Sequence, residues 1–193
     1  MSIILASGSP RRYELLKMVG IEDFKVIADT SEEIITPGLP PEEQVITLSM
    51  QKARNVADKC NQSDTIIAAD TLVYLDEEPL EKPDSPSDAE EMLRKLSNRK
   101  HTVYTGVTII KDGMYISKAE KTDVYFREIT EDEIKSYVAT GEPMDKAGSY
   151  AAQGGAAVFI KRIEGDFFNV MGLPLCRLST MLKELGVNNE SPN

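Results

Sequence analysis

Histidine is nearly absent from this 193-residue chain, where His101 stands alone. Acid–base chemistry therefore falls to carboxylates, lysine or metal-activated water. A Ser-His-Asp arrangement would need His101 as its base, and no nucleophile-elbow motif accompanies it. Cysteine is scarce as well. Cys60 and Cys176 lie far apart and show no metal-ligand spacing, which reads as two reduced thiols rather than a disulfide framework or a zinc site. No apolar run is long enough to span a bilayer, and the first residues carry neither the charged region nor the apolar stretch of a signal peptide. A cytoplasmic protein with no membrane partner is expected. Positive charge is in deficit: 22 Lys and Arg against 32 Asp and Glu leave a net charge of −10. Binding to a nucleic-acid polymer relies on an excess of cations to replace counterions, so such a polymer is not the expected partner. A small polyphosphate can still be held by a few clustered cations. Repeats, low-complexity tracts and clear linkers are missing too, so a single domain over residues 1–188 is expected, followed by a polar tail at 189–193.

What is present begins with residues 5–16, Leu-Ala-Ser-Gly-Ser-Pro-Arg-Arg-Tyr-Glu-Leu-Leu. The run follows a short apolar strand (Ile3, Ile4, Leu5) and opens a helix with Ser9 as N-cap and Pro10 at its first position. Arg11 and Arg12 then occupy the first turn, where the helix dipole already carries partial positive charge. That placement costs stability unless an anion docks there. Backbone N–H groups, two guanidiniums and the hydroxyls of Ser7 and Ser9 make a candidate polyphosphate cradle. The same residues also fit a plain strand–turn–helix with solvated arginines.

Strand and helix signals alternate along the rest of the chain. A second strand is expected at 24–28, and a long helix from Pro40-Pro41-Glu42-Glu43 to about Lys59, with acidic residues in its first turn. The apolar run 65–69 reads as a strand buried on both faces that ends at Asp70-Thr71. Ser87-Asp88-Ala89-Glu90 and Thr130-Glu131-Asp132-Glu133 are capping-box patterns opening helices that stop near Leu96 and Gly141. Strands at 102–110 and 114–126 flank an Asp112-Gly113 turn and form a hairpin. Another strand is expected at 156–163, and a last helix from Pro174 to Leu185. Crossover helices with a long hairpin imply an α/β fold on a mixed sheet.

Asp70, at the carboxyl end of the most apolar strand, is where ligands collect in helix-covered sheets, and with Thr71 it suits metal binding or general-base work. A loop-capping role explains an isolated Asp equally well. Glu32-Glu33 offer a second oxygen ligand or simply a solvated acidic pair. Lys52 and Lys82 are phosphate neutralisers or surface lysines. Residues 141–150 and Gln153-Gly154-Gly155 are rich in turn formers and too polar for a core element. Such loops often carry ligand contacts, and Gln153 has the donor and acceptors needed to read a nucleobase edge.

Taken in order, these pieces resemble the Maf family of nucleoside triphosphate pyrophosphatases, relatives of the inosine-triphosphate pyrophosphatase fold. The matching segments are residues 5–16, Glu32-Glu33, Ala69-Asp70-Thr71, Lys82-Pro83, Val103-Tyr104-Thr105-Gly106, residues 141–150, Gln153-Gly154 and Val170-Met171-Gly172-Leu173-Pro174. Single pieces are weak, but the ordered set covers nearly the whole chain. The resemblance implies an elongated, twisted mixed sheet flanked by helices, in two lobes with a cleft between them, and a homodimer would fit it. It also implies hydrolysis between the α- and β-phosphates, giving a nucleoside monophosphate and pyrophosphate with a divalent metal, Mg²⁺ or Mn²⁺. Asp70 matches the family's catalytic acid. Ser7, Arg11, Arg12, Lys52 and Lys82 match triphosphate contacts, and Glu33 with Asp70 a metal site.

The family divides by base. One branch, acting on dTTP and UTP, has Arg after the signature Pro, an Ala-Asp-Thr motif and Gln before the Gly. The other prefers 7-methyl-GTP and has an aromatic residue, Gln and Glu at those places. Arg11, Thr71 and Gln153 match the first branch. A neutral amide suits the mixed donor–acceptor edge of uracil or thymine. A 7-methyl-GTP pyrophosphatase and a nucleotide-binding regulator of cell division without turnover are the alternatives. Two departures stand out: Asn98 where the family usually has Gly, which left-handed geometry tolerates in Asn, and Ala151-Ala152 in place of a commoner Gly-Ile.

Overall fold

The structure, a computed structural model, describes residues 2–31 and 34–187. Along the chain run β1 (Ile3–Leu5), α1 (Pro10–Met18), β2 (Phe24–Val26), α2 (Pro41–Ala57), β3 (Thr65–Leu75), β4 (Glu78–Leu80) and α3 (Pro86–Leu96). These are followed by β5 (Lys100–Lys111), β6 (Met114–Phe126), α4 (Glu131–Val138), β7 (Ile160–Glu164), α5 (Phe167–Val170) and α6 (Leu175–Glu184). The seven strands form one mixed sheet in the order β2-β1-β3-β5-β6-β7, with β4 beside β3. β1 is parallel to both β2 and β3, whereas β4 and β7 are antiparallel to β3 and β6. No described helix is long and apolar enough to cross a membrane. The chain divides into two compact units: Met1–Asp70 with Thr105–Glu120 and Gly172–Asn193, and Thr71–Tyr104 with Lys121–Met171.

In the first unit, β1 and the start of β3 pair in register, Leu5 opposite Ile67. Ile4, Ala6, Ile66 and Ala68 then present one buried face to Ala53 and Val56 of α2. Helical spacing makes Val45, Leu48, Ser49, Ala53 and Val56 a single buried stripe along α2. Close approach is enforced at Gly106 of β5, where a Cβ would lie 2.1 Å from the Val45 carbonyl oxygen. One turn further, Ser49 Oγ and Thr108 Oγ1 share a buried 2.9 Å hydrogen bond. Helix and strand are thus locked in register by backbone contact and a polar pair.

In the second unit, a core of Val73, Leu93, Leu96, Val124, Phe126, Tyr137, Tyr150 and Phe159 gathers α3, α4 and the far ends of the long strands. His101 belongs to it. Its ring meets Phe126 and Tyr150 edge-on at 4.9 and 5.2 Å, and its Nε2 is 2.8 Å from the Tyr150 hydroxyl. The turn after β5 has the left-handed angles expected of Asp112-Gly113, φ 50° and 77°. Asn98 is left-handed too, φ 54°, which is how it replaces glycine after α3.

Several boundaries differ from expectation. β3 does not end at Asp70: Thr71-Leu72-Val73-Tyr74-Leu75 continue it, buried from Leu72 on and partly paired with β4, so Asp70 sits inside a strand. Helix α3 is capped by Ser85, whose hydroxyl accepts from the Asp88 N–H, rather than by Ser87, because Pro86 already occupies the first helical position. The Thr130–Glu133 box forms as expected, with both reciprocal bonds. Residues Gly155–Phe159 make a 3₁₀ turn, so the last strand begins only at Ile160. The polar, glycine-rich stretch at 141–150 is not all surface: Pro143, Gly148, Ser149 and Tyr150 are buried.

Candidate active site

Parallel pairing of β1 with β3 brings the end of β1 beside the middle of β3. Leu5 pairs with Ile67, and the Ala6 N–H still donates to the Ile67 carbonyl at 2.8 Å. Ser7 follows on one strand and Asp70 on the other. Ser7 is buried, and its Oγ accepts from the Ser9 N–H at 3.3 Å and from Arg12 Nη1 at 3.2 Å. Arg12 Nε donates to the Gly172 carbonyl at 2.8 Å. The guanidinium is therefore held from two sides. Ser9 stands at the N-cap without a side-chain cap bond, Pro10 opens the helix, and the first turn has no acidic residue. Arg11, half-buried, joins Arg12 at this positive helix end.

Asp70 shares its face of β3 with Ile66 and Ala68 and so emerges toward α2. Lys52, one turn before Val56, lies on the side of α2 facing that strand, and its Nζ donates to Asp70 Oδ1. Their side chains are 14% and 5% exposed, so the pair is well shielded from water. An ion pair at this depth persists because each charge compensates the other, and removing either leaves a buried charge alone. Asp70 Oδ2 is buried with no hydrogen-bond partner among the described residues. A buried carboxylate oxygen left bare is costly unless something else binds it. It has the chemistry for a water proton or a hard divalent cation, which takes oxygen donors. Among the described residues no group of three or more His, Cys, Asp or Glu forms a metal cluster. Asp70 fits a cation only with oxygens from elsewhere. Glu33, the second expected ligand, lies outside the described residues.

The other expected site residues belong to the second unit. Thr71, half-buried, follows Asp70 on β3, while Lys82 and Gln153 are exposed. Within that unit, the Gly148 N–H donates to the Glu81 carbonyl at 3.1 Å, which joins the segment carrying Lys82 to the one leading into Gln153. Gly148 has φ 68°, and a Cβ there would meet Val73 at 3.0 Å. His101 is removed from any catalytic reading. It is 1% exposed, its burial pushes it down to about 3, and it faces aromatic side chains.

Three participants escape a reading of residue types. The Gly172 carbonyl acts through its backbone, and its only signal is glycine at φ 103° in Met171-Gly172-Leu173-Pro174. Tyr137 and Glu142 accept from the Ala151 and Gly155 amides of the Gln153 loop but stand 16 and 11 residues before Gln153 in a sequence otherwise typical of a helix and its exit.

The model of the family described as Maf-like protein matches residues 2–185. A dTTP/UTP pyrophosphatase of Methanosarcina mazei is 52% identical over 188 residues, covering 96% of this chain and 95% of that protein. Proteins of the same name from Caldicellulosiruptor saccharolyticus and Bacillus cereus are 44% and 45% identical, covering 95% and 96% of this chain and 94% and 96% of their own. Among solved structures, the Ham1 proteins of Staphylococcus aureus and Coxiella burnetii both superpose with a TM-score of 0.52 at 17% identity. They cover 96% and 95% of this chain and 100% and 99% of their own, a likeness of fold. Fold, ordered motifs and near end-to-end relatives agree: the chain belongs to the Maf-like protein family.

Proposed function

We propose that this protein is a nucleoside triphosphate pyrophosphatase that hydrolyses dTTP and UTP to the nucleoside monophosphate and pyrophosphate. The names of the relatives support the reaction class. The observation that carries the chemistry is the divided Asp70 carboxylate, with Oδ1 bound by Lys52 and Oδ2 buried and unpartnered. Lys52 fixes the carboxylate through Oδ1, which leaves Oδ2 as the proton acceptor for the attacking water. Water adds to the α-phosphorus, the α–β anhydride bond breaks, and pyrophosphate leaves with the bond's electron pair. Arg11 and Arg12, with the Ser7 hydroxyl and the N-terminus of α1, balance charge on the phosphates as it shifts toward the leaving group. Lys82 is assigned a phosphate oxygen. A divalent cation held by Asp70, Glu33 and the substrate's own phosphate oxygens would add charge neutralisation there. Arg11, Thr71 and Gln153 are assigned base selection.

Asp70→Asn tests the carboxylate. The amide keeps the shape, loses the charge that pairs with Lys52 and no longer accepts a proton well. Pyrophosphate release from dTTP is expected to fall about 10²–10⁴-fold, the usual range for a lost general base. Turnover within about twofold of the unsubstituted enzyme would remove Asp70 from the chemistry.

A further inference from the structure

Residues 151–155 leave the core of the second unit and return to it, with Gln153 exposed between the buried Ala151-Ala152 and the 3₁₀ turn at Gly155–Phe159. The two ends of this loop are bonded to two side chains that are themselves bonded to each other. The Ala151 N–H donates to the Tyr137 hydroxyl at 3.1 Å. That hydroxyl donates to Glu142 Oε1 at 2.8 Å. The Glu142 carboxylate also accepts from the Gly155 N–H, at 3.1 and 3.2 Å. A continuous chain of hydrogen bonds therefore runs from residue 151 to residue 155 and closes the loop beneath Gln153.

The sequence around the loop is shaped to this clamp. A Cβ at Gly154 would lie 2.2 Å from Glu142 Oε1, so only glycine lets the carboxylate reach the Gly155 amide. Tyr137 is in the last turn of α4, its ring edge-on to Phe159 at 5.5 Å, and its hydroxyl lies far enough inside for burial to push its pKa up. It remains protonated and a donor throughout the neutral range. Glu142 is brought back toward it by the left-handed Gly141, φ 75°, and by the Thr140 hydroxyl, which accepts from the Glu142 N–H at 3.1 Å.

We propose that Tyr137 and Glu142 are positioning residues for base selection, their hydroxyl–carboxylate pair setting the 151–155 loop so that the Gln153 amide meets the nucleobase at a fixed angle. The proposal rests on the reading of Gln153 as a base-selecting residue. The pair acts on discrimination and leaves the chemical step to Asp70.

Tyr137→Phe isolates the effect, because it keeps the ring against Phe159 and removes only the link between Ala151 and Glu142. Glu142→Gln, which keeps an acceptor but not the charge, is the conservative partner, and Gln153→Ala is the control. Each is assayed for kcat and KM with dTTP, UTP, GTP and 7-methyl-GTP, and hydrogen exchange is followed at the Ala151 and Gly155 amides. For Tyr137→Phe the preference for pyrimidine over purine triphosphates is expected to fall roughly five- to tenfold, the scale of one lost hydrogen bond. The loss should appear in KM for dTTP and UTP, with faster exchange at both amides. Glu142→Gln should restore part of that preference relative to Glu142→Ala. If Gln153→Ala relaxes base preference while Tyr137→Phe and Glu142→Ala leave it intact, the clamp has no role in selection and the proposal is overturned. A uniform fall for all four nucleotides, with unchanged ratios, overturns it equally as a general structural effect. If Gln153→Ala itself leaves preference unchanged, the base-selecting reading of Gln153 fails instead.

Discussion

Asp70 and His101 show how burial assigns opposite roles to titratable side chains. Asp70 is 3% exposed, and Lys52 reaches it from α2 to donate to Oδ1. His101 is 1% exposed with no charged partner in hydrogen-bond contact. Desolvation opposes its charged form and pushes it down to about 3, outweighing the opposing pull of Asp123. In the unfolded chain it takes up a proton near its ordinary value of 6.5. Because the folded value is the lower one, the unfolded state binds more protons between the two. Stability is complete above about 6.5 and falls as the pH drops below it. The slope is at most about 1.4 kcal/mol per pH unit. Native carboxylates such as Asp123 and Glu133, whose hydrogen bonds to Thr102, Lys100 and Arg127 favour ionisation, add their own losses only nearer their ordinary 3.8 and 4.5. Urea unfolding between pH 5 and 6.5 should therefore show stability declining with acid in the unsubstituted protein and a flatter profile in His101→Gln. Parallel profiles would show that His101 is protonated inside the fold.

At the scale of elements, α2 delivers Lys52 to Asp70, and Gly106 sets how closely that helix lies on β5. Gly106→Ala would push a methyl into the Val45–Ile46 backbone, with contacts of 2.1 to 2.8 Å that no side-chain rotation relieves. Overpacking of this kind costs about 1–3 kcal/mol or more, and with backbone as the obstacle the upper end applies. A drop in Tm of roughly 6–12 °C is expected, with weaker dTTP turnover as Lys52 shifts. An unchanged Tm would mean that α2 lies elsewhere on the sheet. Elements with local chemical punctuation were readable from residue types: the Thr130 box, the Asp112-Gly113 turn and the Pro-Pro-Glu-Glu start of α2 appear where expected. Elements fixed by distant partners were not. A carboxylate at Asp70 reads as the end of a strand, yet β3 continues through it, with Lys52, 18 residues earlier, compensating the charge and β4 pairing beyond it. Tyr150 and Ala152 look like loop residues because their neighbours are polar and small, yet the aromatic core around Phe126 draws them inside.

For the molecule as a whole, the mixed sheet, the ordered motifs and the family agree with the reading of the chain as a nucleotide enzyme. An acidic protein of net charge −10 attracts a polyanion only where cations are concentrated. The N-terminus of α1 supplies that with Arg11, Arg12 and no nearby acid in its first turn. The phosphate-binding candidates were visible chiefly at Arg11 and Arg12, whose charge is unfavourable in the first turn of a helix unless an anion docks there. Lys52 and Lys82 read equally well as surface lysines. Of the residues assigned to base selection, Arg11, Thr71 and Gln153 were visible through the family resemblance, whereas Tyr137 and Glu142, which act through backbone amides and a single hydroxyl, were not. The most direct test is a turnover panel of dTTP, UTP, GTP and 7-methyl-GTP with Mg²⁺ or Mn²⁺, with products resolved as monophosphate plus pyrophosphate or diphosphate plus phosphate. The account predicts monophosphate and pyrophosphate, with dTTP and UTP turned over at least about tenfold more efficiently than the purines, a margin of about 1.4 kcal/mol in transition-state binding. Preference for 7-methyl-GTP, release of single phosphates, or tight nucleotide binding without turnover would contradict it.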